Sequence, residues 1–500
     1  MGCPSRTIGK FMKICLITPP SIFLLDERVF VSLGILKVAA SLERSGHIVE
    51  VLDLSGIENY EEVTKDHAKQ TDAEVFGITA TTPQMPAAFK IRKALGTKRV
   101  ILGGPHATLV HAAYRGEKRR GINGRATEAM STLTENFDVI VAGDGESAVL
   151  KAIQKDAPKL IDADSLASVD FLTNEALTAS AFPARHLVDM DSYHYSIDGE
   201  RATSLICQLG CPFGCGFCGG RESMMLRKIR TRTSENVVKE IENLYRTYNI
   251  KGFMLYDDEL NVNPKMVELM DMIYAKQKEL ECKFRLRGFI KSQLFTDAQS
   301  EAMARAGFKW ILVGFESGSP RILDNIEKRA TVEQNSRCMA IARRHGLKVK
   351  ALMSIGHPGE SEHTIKKTKE WLLKEKPDDF DVTVISTYPG TSYYDKATET
   401  SPGVWTYQYK NGDRLHSIEV DYTQTADYYK GSPDGGYKSY VYTDYLSPES
   451  LVKLRDDLER DVRSILGIPF NPGAPGKRYE ASMGMIPGYI LRQSQSQVTA

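Results

Sequence analysis

Cysteines 211, 215 and 218, in the run Gly210-Cys211-Pro212-Phe213-Gly214-Cys215-Gly216-Phe217-Cys218, are spaced by three and then two residues. In a tight Gly/Pro loop such thiolates converge on one side, as iron–sulfur ligation requires. Three thiolates on a four-iron cluster leave one iron open, and an open position is what substrate chemistry needs, as at catalytic zinc. Eight cysteines spread evenly over the chain would put about 0.2 in a 12-residue window, yet residues 207–218 hold four of them. The competing reading is a structural zinc site with Cys207 as the fourth thiolate. Cys207 falls in an apolar stretch read as a strand, where a thiol packs as a small hydrophobe, and the paired CxxC knuckles of zinc ribbons are missing. Cys3, Cys15, Cys282 and Cys338 are scattered and suggest no disulfide framework.

Further groups with chemical potential stand where strands should end. They are Tyr256-Asp257-Asp258-Glu259, Arg287, Gly314-Phe315-Glu316-Ser317-Gly318, Gly356-His357-Pro358-Gly359-Glu360 and Tyr388-Pro389-Gly390-Thr391. Each alone could be an ordinary glycine turn or helix cap. Their order along one series of strands gives them weight, because sites in parallel α/β sheets lie at strand carboxyl ends.

The elements that must position them read as two α/β series. The first has strands Lys13–Thr18, Ile48–Asp53, Val75–Ala80, Val100–Gly103 and Asp138–Ala142, with helices over Leu33–Arg44, Pro86–Leu95 and Ser147–Gln154. His111–Glu135 reads as a polar, helical insertion, and 155–200 as a crossing between domains. The second series has strands Ser204–Gln208, Gly252–Tyr256, Lys283–Arg287, Trp310–Val313, Lys348–Ser354 and Asp381–Thr387. Six strand–helix repeats in some 200 residues make a partial barrel, short of an eight-fold one. Twelve of the 22 tyrosines fall between Tyr388 and Tyr445, either packed as β-structure or roofing the barrel mouth. A helix over Pro448–Leu466 follows, then a Gly/Pro-rich terminus ending in the polar run Arg492–Ala500, expected to be disordered.

The cysteine loop and the strand-end motifs, over about 203–395, resemble the radical S-adenosylmethionine (SAM) superfamily. That resemblance implies a 4Fe-4S cluster on Cys211, Cys215 and Cys218, whose unique iron chelates SAM and whose electron cleaves it to a 5′-deoxyadenosyl radical. It also implies SAM contacts from Asp257, Asp258, Glu259, Arg287, Glu316, Gly356 and Gly359. Leu209 stands where many members of the superfamily have Arg, which puts one local contact in doubt.

Thr79-Ala80-Thr81-Thr82-Pro83, Gly103-Gly104-Pro105-His106 and Gly143-Asp144-Gly145-Glu146 each follow a strand of the first series. Glycines there let backbone amides approach a large ligand, and this first series contains no dinucleotide fingerprint GxGxxG. With Ser32-Leu33-Gly34 and Gly46-His47, the second and third of these segments resemble the cobalamin-binding domain that precedes many radical SAM barrels. Cobalamin contacts are therefore expected from Thr79, Thr81, Gly103, Gly104, Pro105, His106, Gly143, Asp144, Gly145 and Glu146. The DxHxxG signature of a histidine-ligated cobalt is missing, leaving His106 as the best alternative lower ligand. The alternative is a domain that has kept the shape and lost the cofactor.

The fold expected is thus α/β, with a Rossmann-like cobalamin-binding domain (13–154), a connection (155–200), a partial (β/α)6 radical SAM barrel (201–396) and a C-terminal tyrosine-rich and helical region (397–500). The activity expected is methylation of an unactivated carbon of a small molecule or peptide, with one SAM methylating the corrinoid and a second generating the radical. A flavodoxin or ferredoxin would supply the electron. Cyclisation, ring contraction or rearrangement is the enzymatic alternative, and a non-catalytic corrinoid- or zinc-binding protein the alternative of another class. No catalytic side chain is identified. The two sets of strand-end loops are expected to face each other across the substrate, since a radical must be kept from water.

Composition fits a soluble globular protein, with 42% hydrophobic and 26% charged residues, and 500 residues call for two or three domains. A formal charge of +1 gives no electrostatic reason to bind nucleic acid, and no run reaches the ~18 apolar residues of a membrane span. Arg6 stands where myristoylation of a Met-Gly start needs Ser or Thr, and no signal peptide is visible. A cytoplasmic location is expected.

Overall fold

The computed structural model describes residues 11–22, 24, 27–428 and 438–469. The Met1-Gly2-Cys3 start and the terminal Arg492–Ala500 lie outside them. The first sheet holds β1 (Lys13–Thr18), β2 (Ile48–Asp53), β3 (Val75–Thr79), β4 (Arg99–Gly103), β5 (Val139–Gly143) and β6 (Leu160–Ala163). All are parallel, in the order β2-β1-β3-β4-β5-β6. Helices cover both faces, so the strands are buried runs rather than alternating ones.

Two expectations are corrected here. The stretch after His111 is no insertion. Helix Pro105–Arg120 starts directly on the Gly103-Gly104 turn with Pro105 in its first turn, and Arg125–Asn136 completes the crossover to β5. Its many Ala and His residues hid a buried face that includes Ala107, Val110, His111 and Ala113. Residues 160–163, within the expected crossing, add a sixth strand.

The second sheet begins with β7 (Ser196–Ile197), antiparallel to β8 (Glu200–Leu205). The two-residue pair β9 (Gln208–Leu209) and β10 (Arg230–Thr231) stands apart. The parallel series then continues through β11 (Gly252–Leu255), β12 (Arg285–Ile290), β13 (Phe308–Glu316), β14 (Lys348–Ile355) and β15 (Asp379–Val384), in spatial order β15-β14-β13-β12-β11-β8-β7. Its six parallel strands form the expected open partial barrel.

The first barrel strand stops at Leu205, three residues early. Asp257 Oδ1 accepts the backbone N–H of Cys207 (2.7 Å) and of Gln208 (3.2 Å), removing them from the ladder. Cys207 therefore lies just past the strand and not in it, though its side chain is buried as expected. β12 starts two residues late, because Gln277 Oε1 takes the N–H of Phe284 (2.7 Å). Arg287 thus sits mid-strand, not at the carboxyl end.

β16 (Thr398–Ser401), β17 (Val404–Gln408), β18 (Arg414–Ile418) and β19 (Val441–Thr443) form a separate antiparallel sheet. It docks on the barrel through Thr443 Oγ1, which donates to the Glu360 carbonyl (2.8 Å). Tyr407 and Tyr409 are buried in the core, and Arg125 of the first unit lies between the Tyr394 and Trp405 rings, 3.8 Å from each centroid. Of the described tyrosines, Tyr407 and Tyr442 lie in strands of this sheet, while Tyr445 is exposed. Helix Pro448–Leu466 closes the described chain, and among the described residues no helix is long and apolar enough to cross a membrane.

Candidate cluster loop and corrinoid cavity

The cysteine loop is pinned by backbone bonds on every side. Cys211 N–H donates to Leu226 (3.0 Å), Gly216 N–H to Ile326 (2.9 Å) and Gly220 N–H to Gly390 (3.0 Å). Gly210, at φ +88°, leaves no room for a side chain, since a Cβ would fall 2.2 Å from the Lys228 carbonyl oxygen. Cys215 is buried, Cys211 half-buried and Cys218 exposed. The three sulfurs do not all lie within 4.8 Å of one another. Tetrahedral thiolates on one zinc stand only about 3.8 Å apart. The wider spread fits a cluster, where each thiolate takes its own iron.

The acidic motif roots this loop. Asp257 holds Cys207 and Gln208 as described, Gly210 N–H donates to Asp258 Oδ2 (3.1 Å), and Gln208 Nε2 to the Glu259 carbonyl (2.6 Å). Burial pushes the Asp257 carboxyl up to about 7. A cavity of about 260 Å³ opens beside the loop, lined by Asp258, Glu259, Phe289, Glu316, Lys328 and Asp381 among others. Lys328 Nζ donates to Glu316 Oε1 (2.9 Å), Ser354 Oγ bridges Glu316 (2.8 Å) and His357 (2.8 Å), and Tyr393 Oη lies 3.4 Å from the other His357 nitrogen. Burial acts to raise the Glu316 pKa, but Lys328, Ser354 and His357 together offset it and hold the carboxyl below its usual range. Glu316 has φ +65° at a β-bulge, a strained backbone of the kind found at sites.

Of the expected SAM residues, Asp258, Glu259 and Glu316 line this cavity. Asp257 anchors the loop behind it, Gly356 packs on Val384 and Val441, and Gly359 lies against Asp413. Arg287 is buried within β12, 5.7 Å from the Trp310 ring, and does not line the cavity. The sequence reading missed Lys328, Lys291, Ser354 and Asp381. Lys291, buried with its Nζ 4.2 Å from the Phe213 ring, has its pKa lowered, first by burial and then by Lys328.

A second cavity, also about 260 Å³, runs along the carboxyl edge of the first sheet. Thr79, Gly103, Gly104, Pro105, Gly143, Asp144, Gly145 and Glu146 line it over an apolar floor that includes Leu16, Ile101 and Val141. A Cβ on Gly143, at φ +100°, would overlap the Ala163 backbone. The far wall comes from the barrel, with Ile206, Leu209 and Arg232. Thr81 and His106 do not line it. Thr81 caps a short turn, and His106 is buried with Nδ1 3.1 Å from Thr82 Oγ1, its pKa pushed down by burial to about 3. An apolar cradle with close backbone approach fits a large, mostly apolar cofactor tail.

Residues 205–372 match the Radical SAM superfamily, and residues 27–134 match the B12 binding domain. An uncharacterized methyltransferase of Pyrococcus horikoshii is 27% identical over 408 residues, covering 78% of this chain and 83% of that protein. The anaerobic magnesium-protoporphyrin IX monomethyl ester cyclase of Cereibacter sphaeroides is 22% identical, over 65% of this chain and 53% of its own length. Among solved structures, the radical S-adenosylmethionine methyltransferase TsrM of Kitasatospora setae, with cobalamin and a [4Fe-4S] cluster bound, shares the fold at TM-score 0.63. It is 16% identical, with 93% of this chain and 92% of that one covered. With the two matches falling on the two units in turn, the chain carries a B12 binding domain ahead of a Radical SAM superfamily domain.

Proposed function

We propose that this enzyme is a cobalamin-dependent radical SAM methyltransferase acting on an unactivated carbon of a small molecule or peptide. The observation that carries the reading is the shared wall between the two sites. Leu209, the second residue before Cys211, lines the cavity formed by the Gly103–Pro105 and Gly143–Glu146 loops. When bound, the cluster, SAM and corrinoid supply the electron, the radical and the methyl group.

The chain's own residues orient and shield. Cys211, Cys215 and Cys218 hold the cluster, with Asp257 and Asp258 fixing the root of their loop. Glu259, Glu316 and Lys328 present charge where SAM carries its amino and carboxylate groups. The glycines of the first unit admit the corrinoid tail, while Arg115, Asp164 and Ser223 help close the seam between the two units against water. The first unit extends through β6 to Ala163, past the expected limit of 154, the barrel strands run from Glu200 to Val384, and a flavodoxin- or ferredoxin-class protein would supply the electron.

The likeness to a cyclase supports a second reading, radical chemistry without methyl transfer. Mass spectrometry of products from anaerobic turnover separates the two. Methylation yields S-adenosylhomocysteine and 5′-deoxyadenosine together, whereas 5′-deoxyadenosine alone would favour the second reading.

A further inference from the structure

Three side chains on the first sheet converge away from both cavities. Cys15, third in β1, stands opposite Glu50 of β2 in the parallel register, and helix Tyr60–Gln70 lays His67 over them. His67 Nε2 lies 3.5 Å from Cys15 Sγ and 2.9 Å from Glu50 Oε1, and the three donor atoms fall within 4.8 Å of one another. Ile14 and Leu16, the neighbours of Cys15, line the corrinoid cavity. Side chains alternate along a strand, so Cys15 faces the opposite side and serves no step of the proposed reaction.

The same ring nitrogen meets both partners. A nucleophile relay would use the two nitrogens separately, and a lone hydrogen bond would use one partner. With a proton on Nε2, thiol and carboxylate compete for it; without one, Nε2 faces a carboxylate lone pair. A cation satisfies all three at once. With Zn–S near 2.3 Å and Zn–N near 2.0–2.1 Å at a tetrahedral angle, sulfur and nitrogen stand about 3.5 Å apart, the separation found. For nitrogen and oxygen the ideal is about 3.3 Å, a few tenths wider than observed.

The surroundings suit a metal ligand set. Glu50 Oε1 accepts from Thr71 Oγ1, and its Oε2 pairs with Lys13 (3.1 Å), whose charge is balanced by Asp72 (2.6 Å). Outer-shell partners of this kind orient ligating carboxylates. Cys15 is fully buried, while the His67 and Glu50 side chains are 16% and 25% exposed, which leaves an entry path. We propose that Cys15 Sγ, His67 Nε2 and Glu50 Oε1 form a binding site for a zinc-class divalent cation, with water in the fourth position, clipping helix Tyr60–Gln70 to β1 and β2.

The test titrates the full-length, cluster-loaded protein anaerobically with zinc against a chromophoric chelator and records the zinc-edge X-ray absorption. One zinc per chain is expected, with one sulfur and otherwise nitrogen or oxygen neighbours, together with a higher Tm. The Cys211→Ala/Cys215→Ala/Cys218→Ala variant should keep this zinc. Cys15→Ser and His67→Ala should each weaken it tenfold or more, with His67→Ala, at the less buried ligand, serving should Cys15→Ser not fold. A shell of three or more sulfurs, loss of zinc in the triple-alanine variant, or undiminished binding by His67→Ala would each overturn the site.

Discussion

Arg230 of β10 donates to the Asp144 carboxylate across the seam between the two units, with the two side chains only 2% and 3% exposed. Asp144 belongs to the loop lining the corrinoid cavity, and Arg230 pairs through its backbone with Leu209, two residues from Cys211. Asp144 also accepts the Leu172 N–H (2.8 Å), and Arg230 donates to the carbonyls of Leu172 (3.2 Å) and Met225 (2.9 Å). Asp144 thus lines the corrinoid cavity and also joins that loop to the base of the cysteine loop.

Breaking this pair from one side strands a buried charge, which costs about 3–5 kcal/mol. Asp144→Ala should therefore lower unfolding stability by about that much. The double change Asp144→Leu/Arg230→Met, which removes both charges, should lose less than either single change. Denaturant midpoints by circular dichroism check this, and additive losses would show that the two groups do not depend on each other.

Cys211→Ala, Cys215→Ala and Cys218→Ala should each abolish 5′-deoxyadenosine formation, because each removes one of the three proposed cluster ligands. Cys207→Ala should keep the iron and the activity, since Cys207 is buried past the end of β8 among core residues. Iron and sulfide counts with product chromatography decide between the two outcomes. Loss of the cluster in Cys207→Ala would make it a fourth ligand.

How much of this was legible in the sequence follows from where the information lies. The cysteine loop was readable because its chemistry is encoded in local spacing. β1, β2 and the helices Leu33–Arg44 and Pro448–Leu466 match their expected limits, because hydrophobic period and a terminal glycine or proline are local as well. What failed depended on distant partners. The pairing of Asp144 with Arg230, 86 residues away, gave no local signal, and β12 begins late because of Gln277 on a preceding helix. Lys328 gave no signal, since its meaning comes from Glu316 at a strained bulge. The strand β6, only Leu160–Ala163 with an aspartate inside, was too short to show a period.

Burial of His106 sets a pH dependence. Its pKa falls from 6.5 to about 3 in the folded chain, so between these values the unfolded state binds the extra proton. Stability from this group is thus complete above pH 6.5 and is lost as pH falls through the window. At pH 5 the loss is about 2 kcal/mol relative to pH 8. His106→Gln, which keeps a polar group near Thr82, should lose less stability than the parent over that interval. Parallel pH profiles for the two would show that His106 does not contribute.

The last prediction concerns what lies beneath cobalt. Among the residues lining the corrinoid cavity none is a histidine, and the DxHxxG pattern that would bring one in is missing from the sequence. His106 follows Gly104 and Pro105 closely in the chain, but its ring is buried against Thr82 and held by that contact. Moving it to a metal would give up this hydrogen bond and displace packed neighbours, for which nothing in the cavity wall compensates. The apolar floor of Leu16, Ile101 and Val141 suits the cofactor's own base once that base is displaced from cobalt. Electron paramagnetic resonance of the Co(II) form should therefore lack nitrogen superhyperfine splitting, and His106→Gln should leave the spectrum unchanged. A nitrogen splitting that disappears in His106→Gln would make His106 the lower ligand. One that persists in the variant would place the cofactor's own base on cobalt.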